Sequence, residues 1–292
     1  MTTPTAPTKP VVGPGLVALT SWGMVTIETA AAMTDLRGFN EANGLRDVVY
    51  TFVAKGLVDK ARNEAARQML AMPYKGQPLQ WLVFLDADAT FQPNVLDQLL
   101  TTAYVTTPWA DIVGAWAPLR GKPYLPTIDT GSGTWESHDV NCGPVEVIRT
   151  GAHCILIKRH VFERMEFPWY GVRPAPRPID VLTEMDNYAR CKMDGQNPLR
   201  THPAWAALEK CAVEDAVQQR GRMPAAQRGD LISAVGEDSN FCDKARALGF
   251  RIVVNTDIVT GHVDRRIITH VDHQEAMKEV RANQRLVQGV MG

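Results

Sequence analysis

The apolar run Trp81–Leu85 ends in two acids, Asp86 and Asp88, which are separated only by Ala87. A short, continuous apolar run of this kind predicts a strand that is buried on both faces, as in a parallel sheet. In open α/β sheets, ligands bind beyond the carboxyl ends of the strands, which is where both acids would lie. Two carboxylates with no basic residue between them favour a hard divalent cation next to a phosphate group. The segment therefore predicts an α/β fold with a metal- and phosphate-binding site.

Strand-like and helix-like patterns alternate from residue 15 to residue 115. In Leu57–Met72, small and apolar residues recur at four-residue spacing, which predicts an amphipathic helix. Such alternation predicts a parallel sheet whose strands are joined by right-handed crossovers. The predicted elements are a strand at Val17–Thr20, a helix at Thr26–Leu36, a strand at Asp47–Ala54, the helix Leu57–Met72, the strand ending at Asp86, a helix beginning at Pro93 and a strand at Asp111–Ala115.

The second half of the chain is less regular. Residues 118–143 and 168–203 are rich in proline and polar residues, which indicates loops. The elements predicted around them are strands at Val145–Ile148 and Cys154–Ile157, helices at His160–Met165, Trp205–Gln219 and Ser239–Leu248, strands at Arg251–Asn255 and Ile258–His262, and a terminal helix at Gln274–Gln288.

The composition argues against several classes of protein. With 22% charged residues and a net charge of −1, the 292-residue chain gives no electrostatic argument for nucleic-acid or membrane binding. No apolar run approaches the length of a membrane span, so we expect no stable membrane insertion. Met1–Pro10 is rich in threonine and proline and lacks the features of a signal peptide, which favours a cytoplasmic protein. The cysteines form no CxxC pair, which argues against a structural zinc site or a disulfide framework: Cys142, Cys154, Cys191, Cys211 and Cys242.

Five motifs together resemble the GT-A class of nucleotide-sugar glycosyltransferases, broadly its family-2-like members. The resemblance covers most of residues 15–265. The motifs are the opening strand and helix at Val17–Leu36, the helical segment Lys60–Asn63, the DxD motif Asp86–Asp88, the segment Gly151–Arg159, and the group formed by Gly236–Asp238, Gly249–Phe250 and Gly261–His262.

The resemblance implies a Rossmann-like GT-A fold, in which helices flank a mostly parallel central sheet and a loop- and helix-rich insertion lies on the acceptor side. It implies a glycosyltransferase of the hexosyltransferase type acting in the cytoplasm, with a phage-encoded enzyme in its host's cytoplasm left open. The expected organisation is a disordered lead-in at 1–14, one catalytic domain at 15–265 and a helical tail at 266–292. The catalytic domain would comprise a nucleotide-sugar-binding half at 15–115 and an acceptor-side half at 116–265 with the insertion at 168–230.

The resemblance also implies roles on the donor side. Asp88 would bind a divalent metal, Mn or Mg, that holds the diphosphate of the donor, with a UDP-sugar favoured. Asp86 would contact the ribose, or the metal through water, and His262 would be a further metal ligand. A cation fits this reaction because it offsets the negative charge that the leaving diphosphate acquires. The expected donor-binding residues are Thr20, Lys60, Arg62, Asp86, Ala87 and Asp88.

On the acceptor side, Asp238 is the expected general base, with Glu237 beside it as a second catalytic residue. The first turn of a helix favours the carboxylate form of Asp238, which lowers its basicity. Attack from the face opposite the diphosphate would invert the anomeric centre. Trp169 and Tyr170 are expected to stack on an acceptor, with a local packing cluster as the other interpretation. Three histidines receive no role: His153, His270 and His273.

Other functions are open at this level. Leu85–Thr90 also fits the strand-DxDxT motif of haloacid-dehalogenase-like phosphatases, with Asp86 as nucleophile and Asp88 as acid/base. That nucleophile strand normally opens its fold, however, whereas a strand–helix–strand–helix unit precedes Asp86 here. A nucleotidyltransferase and a non-enzymatic sugar-binding protein are weaker alternatives.

The acceptor is the least constrained part of the prediction. A saccharide, a lipid-linked sugar, a protein side chain and a hydroxymethylated DNA base are all compatible with the motifs. Residues 149–228 hold 13 Lys and Arg against 9 Asp and Glu, a mild basic bias that suits a phosphate-bearing acceptor.

Overall fold

A seven-stranded sheet forms the centre of the fold in the computed structural model, which describes residues 12–21, 23–120, 123–131, 135–171, 173–174, 234–263, 267–278 and 281. From one edge to the other, its strands are β2 (Val48–Ala54), β1 (Gly15–Ser21), β5 (Trp81–Asp86), β11 (Cys154–Lys158), β7 (Ile112–Trp116), β14 (Ile252–Val259) and β9 (Pro144–Val147).

The predicted α/β class is confirmed, but the sheet is more mixed than the sequence suggests. The pairs β1–β2, β1–β5 and β7–β14 are parallel, whereas β5–β11, β7–β11 and β9–β14 are antiparallel. Five strands therefore run in one direction, and β11 and β9 run in the other. A parallel partner needs a helical crossover, and the described residues between β7 and β11 include no helix that would provide one.

Five helices of the described residues pack on the two faces of the sheet: α1 (Ile27–Ala42), α2 (Val58–Ala71), α3 (Val95–Thr101, continued by a π-helical turn at Thr102–Thr106), α4 (Arg159–Arg164) and α5 (Glu237–Ala247). One face is covered by α2, α4 and α5, which share a core with Leu82 and Phe84 of β5. The other face is covered by α1 and α3, which pack on Trp81, Val83 and Leu85 of the same strand. Alternate residues of β5 thus enter both cores, as expected of a buried strand.

The long strand β14 differs from the prediction, which expects a break before Ile258. It runs unbroken through Val259 because its pairing with β7 absorbs a register shift between Asn255 and Val259.

Short strands complete the described structure. The short strands are β3 (Pro73–Tyr74), β4 (Gln77–Pro78), β6 (Ala89–Thr90), β8 (Ile128–Asp129), β10 (Arg149–Thr150), β12 (Arg173–Pro174), β13 (Ala234–Val235), β15 (Gly261–Val263) and β16 (Ile267–Ile268).

The chain divides into two units, one formed by residues 1–171 and 237–292 and the other by residues 172–236. In the second unit, the structure describes the antiparallel pair β12–β13. The predicted helix Trp205–Gln219 lies outside the described residues. Of the predicted terminal helix Gln274–Gln288, residues 274–278 and 281 are described and are helical, and the helix begins earlier, at residue 270. Among the described residues, no helix combines the length and apolarity that a membrane span requires.

Candidate active site at the carboxyl end of β5

The DxD segment is held by hydrogen bonds to its neighbours on both sides. The backbone N–H of Asp86 donates to the carbonyl oxygen of His153 (2.9 Å), and Thr20 Oγ1 donates to Asp86 Oδ1 (3.2 Å). The N–H of Ala87 donates to the Thr20 carbonyl (3.1 Å), and the carbonyl of Ala87 accepts from the N–H of Thr26, the N-cap of α1 (2.9 Å). The chain therefore leaves β5 in a fixed direction.

Arg62 binds three carboxylates at once, and we call Arg62, Asp86, Glu237 and Asp238 the Arg62 cluster. Its Nη2 donates to both oxygens of Asp86 (3.0 and 3.3 Å). Its Nη1 donates to Glu237 Oε1 (3.1 Å) and to Asp238 Oδ1. The Arg62 side chain is only 2% exposed, so the fold buries a charged group whose two terminal nitrogens have carboxylate partners, while its Nε has no hydrogen-bond partner.

The electrostatics of the Arg62 cluster separate its two aspartates. Burial raises the pKa of Asp86, but the guanidinium of Arg62 and the nearby His153 outweigh that effect and hold the pKa well below its ordinary value. For Asp238, burial dominates over Arg62, and the negative charges of Glu237 and Asp86 act in the same direction as burial, so the pKa rises to about 6. The fold thus reverses the effect predicted from the helix N-terminus, and Asp238 becomes a stronger base than an ordinary aspartate.

Asp88, His153 and His262 lie together on the other side of Ala87, and we call them the imidazole cluster. One ligand atom from each residue lies within 4.8 Å of the others. The antiparallel pairing of β15 with β6 places His262 opposite Ala89, next to Asp88. The two imidazole rings are 3.8 Å apart between centroids, and His262 Nδ1 lies 3.6 Å from Asp88 Oδ2.

The donor atoms of the imidazole cluster fit a metal ion. The Nδ1 atoms of His153 and His262 are buried and have no hydrogen-bond partner. His153 Nε2 lies 3.1 Å from the Gly261 carbonyl, which can only accept, so the tautomer that donates there leaves a lone pair on Nδ1, which lies 3.8 Å from Asp86 Oδ2. Burial, together with His153, lowers the pKa of His262 below its ordinary value and favours the neutral form that binds metals.

The carboxylate of the imidazole cluster is also ionised. Burial raises the pKa of Asp88, but the adjacent His262 and Arg120 lower it by more than burial raises it, so the net shift is downward. Arg120 lies on the solvent side and contacts Asp88 Oδ2 through its Nη2. Two imidazoles and one carboxylate form a mixed nitrogen and oxygen donor set that suits a first-row transition metal.

The Arg62 cluster and Asp88 of the imidazole cluster line one cleft of about 690 Å³, a size typical of small-molecule sites. The first residues of α1, α2 and α5 lie around it, and the N-cap of α2, Leu57, makes no side-chain capping hydrogen bond. Helix N-termini favour anions. The charged side chains of its described lining are four carboxylates and two guanidiniums, a net charge of −2: Asp86, Asp88, Glu237, Asp238, Arg62 and Arg120.

The structure brings most of the predicted site residues together. Lys60 is exposed and does not belong to the described lining of the cleft. Asp86 faces Arg62 and is not one of the three clustered donor groups. The residues that lie at the cleft as the sequence predicts are Thr20, Arg62, Asp86, Ala87, Asp88, Glu237 and Asp238, with His262 in the adjoining imidazole cluster.

Trp169 and Tyr170 lie in the core and not on an accessible surface. Trp169 is 6% exposed, and its indole N–H lies 3.0 Å from the carbonyls of Phe162 and Met165. Tyr170 is 1% exposed and stacks on Phe241 with ring centroids 4.4 Å apart. The structure therefore gives both residues a packing role in place of the expected acceptor contact.

Sequence reasoning misses His153 and Arg120. His153 immediately precedes β11, and it reaches the DxD segment only because β11 pairs antiparallel with β5, so that Cys154 lies opposite Leu85. A single histidine at the start of a strand carries no such signal. Arg120 lies in a loop after β7, and its approach to Asp88 depends on tertiary structure alone.

Comparison with known proteins gives only distant likenesses. Neither a protein-family model nor a curated protein matches the chain. Among solved structures, the STIV protein A197 matches with a TM-score of 0.48 at 15% identity, over 88% of this chain and 93% of that one. A glycosyltransferase involved in the glycosylation of the major capsid of PBCV-1 matches with a TM-score of 0.29 at 13% identity, over 53% of this chain and 70% of that one. These likenesses are too weak to carry a functional argument.

Proposed function

We propose that this protein is a metal-dependent glycosyltransferase that moves a sugar from a nucleoside-diphosphate sugar to an acceptor hydroxyl. One observation carries the proposal: Asp88 of the metal-fitting imidazole cluster and the partly buried Asp238, whose pKa is raised, line a single cleft on either side of Ala87. Glycosyl transfer needs both, because the leaving diphosphate must be stabilised while the acceptor hydroxyl loses its proton.

On the donor side, Asp88, His153 and His262 would hold the cation. A bound divalent cation supplies Lewis-acid stabilisation of the negative charge on the departing diphosphate. Thr20 and Ala87 form the wall of the cleft between Asp86 and the start of α1, and the uncapped N-terminus of α2 offers backbone N–H groups to phosphate oxygens. A cleft with a net charge of −2 repels a diphosphate without a cation, which makes the proposed reaction dependent on metal.

On the acceptor side, Asp238 would take the proton from the attacking hydroxyl. Its Oδ2 accepts from the N–H of Ala152 (3.1 Å) and its Oδ1 from Arg62, so the carboxylate is held in one orientation. With a pKa of about 6 it is mostly deprotonated at pH 7 and still basic enough to accept a proton. Glu237 shares the guanidinium and contributes to that raised pKa. Attack from the side of Asp238, opposite the diphosphate, would invert the anomeric centre.

The acceptor class stays open among a saccharide, a protein and a hydroxymethylated DNA base. The DNA alternative has a direct test because binding to phosphates weakens steeply with salt. Absence of DNA binding at low salt would remove it.

A phosphatase of the haloacid-dehalogenase type is the competing function, and the contacts of Asp86 do not favour it. Two hydrogen bonds from the positively charged Arg62 and one from Thr20, together with the lowered pKa of Asp86, make its oxygens weak nucleophiles. A DxD segment in which Asp86 is fixed by a buried arginine suits positioning better than attack.

Incubation with a panel of nucleotide sugars and Mn²⁺ tests the proposal. We expect release of a nucleoside diphosphate that requires metal and is lost in Asp88→Asn. We also expect Mn²⁺ and a nucleoside diphosphate together to raise the melting temperature, because ligands that bind only the folded state stabilise it. Orthophosphate release from a simple phosphomonoester, without diphosphate release from any nucleotide sugar, would support the phosphatase instead.

A further inference from the structure

Arg120 occupies a position where it must interact with any cation at Asp88. Its side chain is 53% exposed, and its guanidinium contacts Asp88 Oδ2, the same oxygen that lies 3.6 Å from His262 Nδ1. A cation bound between Asp88 and the imidazoles would share this oxygen. Two positive charges cannot both pair closely with one carboxylate oxygen without repelling each other.

The two guanidiniums of the cleft differ in their freedom to move. Arg62 is 2% exposed and bound to three carboxylates, so it cannot leave its cluster without exposing buried charge. Among the described residues, Arg120 has one carboxylate partner, and its side chain is half-exposed; ion pairs of this kind are weak. Among the described residues that line the cleft, Arg120 is therefore the cationic side chain that can turn toward a ligand.

We propose that Arg120 exchanges partners when the donor binds: its guanidinium pairs with Asp88 before metal binding, and it binds the diphosphate after the metal has taken Asp88. The metal weakens the pairing with Asp88 by charge repulsion, and the diphosphate attracts the freed guanidinium, which can bind two phosphate oxygens at once. Arg120 thus competes with the metal in the absence of donor and acts with it in the presence of donor. This inference rests on the proposed function.

The exchange predicts opposite effects of one substitution on two ligands. In Arg120→Gln, we expect Mn²⁺ to bind about fivefold more tightly without phosphate ligands, because the competing ion pair is gone. We expect inorganic pyrophosphate to bind the Mn²⁺-loaded variant about tenfold more weakly, because a charged hydrogen-bond donor is lost. Titration calorimetry measures both affinities without any turnover.

Two further variants make the test specific. Arg251 immediately precedes β14, pairs with Glu146 of β9 and does not belong to the described lining of the cleft; its side chain is 47% exposed, similar to that of Arg120. The substitution Arg251→Gln should therefore leave the affinities for Mn²⁺ and pyrophosphate unchanged. Arg120→Lys keeps the charge and loses the bidentate geometry, so it should restore the weaker Mn²⁺ binding but only part of the pyrophosphate affinity.

The outcomes separate this inference from the proposed function. If wild-type protein binds Mn²⁺ and Arg120→Gln binds it no more tightly, the competition is refuted while the metal site stands. If the variant gains Mn²⁺ affinity but keeps its pyrophosphate affinity, the phosphate role is refuted. If wild-type protein binds no divalent metal, the proposed function itself fails.

Discussion

The Arg62 cluster and the imidazole cluster lie on either side of Ala87 and treat charge in opposite ways. In the Arg62 cluster, one buried guanidinium satisfies three carboxylates through hydrogen bonds within the protein. In the imidazole cluster, two buried nitrogen atoms have no partner and face a carboxylate. In the first, both terminal nitrogens of the guanidinium have carboxylate partners and only its Nε has none, whereas the second has two nitrogen atoms that a cation or a proton can satisfy. The difference suggests that the Arg62 cluster positions groups and the imidazole cluster binds a ligand.

The largest expected effect comes from disrupting the Arg62 cluster. Arg62→Met would leave three carboxylates near one another in a partly buried site, and we expect it to lower the free energy of unfolding at pH 7 by about 3–5 kcal/mol. Urea denaturation measures this. Lys60→Met, an exposed position two residues earlier on α2, should change it by less than about 0.5 kcal/mol. Similar losses in both variants would mean that the Arg62 cluster is not a special site of stabilisation.

The second prediction separates the roles of the two clusters. Asp238→Asn should reduce turnover by about 10²- to 10³-fold, because the proton acceptor is lost, and should leave Mn²⁺ binding intact. Asp59→Asn, another acid in the first turn of a helix, should leave turnover near that of wild type. If Asp238→Asn also abolished the Mn²⁺-dependent rise in melting temperature, the division between base and metal site would be contradicted.

A smaller effect is expected from removing one side chain of the imidazole cluster. His153→Ala should weaken Mn²⁺ binding by about 10- to 100-fold. Loss of a residue that only supports a metal ligand already has an effect of this size, and loss of the ligand itself should have no smaller one. His160→Ala removes a half-exposed histidine that is hydrogen-bonded to Asp111 (2.7 Å) and should leave Mn²⁺ affinity unchanged. Equal Mn²⁺ affinity in wild type and His153→Ala would exclude His153 from the metal site.

The smallest expected effect is on the pH dependence of turnover, which tests the role of Asp238 in the Arg62 cluster. Because the pKa of Asp238 is raised to about 6, its carboxylate is ionised above that value and protonated below it. We expect kcat/KM to level off above pH 6 and to fall about tenfold per unit as the pH decreases below it, because kcat/KM reports the pKa of the protein before substrate binds. The pH profile of kcat/KM with saturating metal measures this. An acidic limb near pH 4, where an unshifted aspartate titrates, would contradict the assignment.

The local patterns of the chain predict the strands and helices well because they depend on neighbours in sequence. The four-residue spacing in Leu57–Met72 places Ala61, Ala65 and Met69 in the core, and the run ending at Asp86 is a buried strand. His153 could not be assigned, because its approach to Asp86 follows from antiparallel pairing across the sheet. Trp169 and Tyr170 follow a proline in a loop-like segment, yet Asn63 of α2 binds the backbone of Tyr170 through both side-chain atoms (2.7 and 3.0 Å) and draws it into the core.

The hydrogen bonds of Ala87 constrain the geometry of the proposed site. Both of its peptide groups are tied, one to β1 and the other to the start of α1, and its side chain is 7% exposed. Asp86 and Asp88 therefore extend from one anchored stretch of backbone, and the distance between their attachment points is set by the fold. A donor of the proposed reaction would have to match that distance, because this stretch of backbone is not free to close around it.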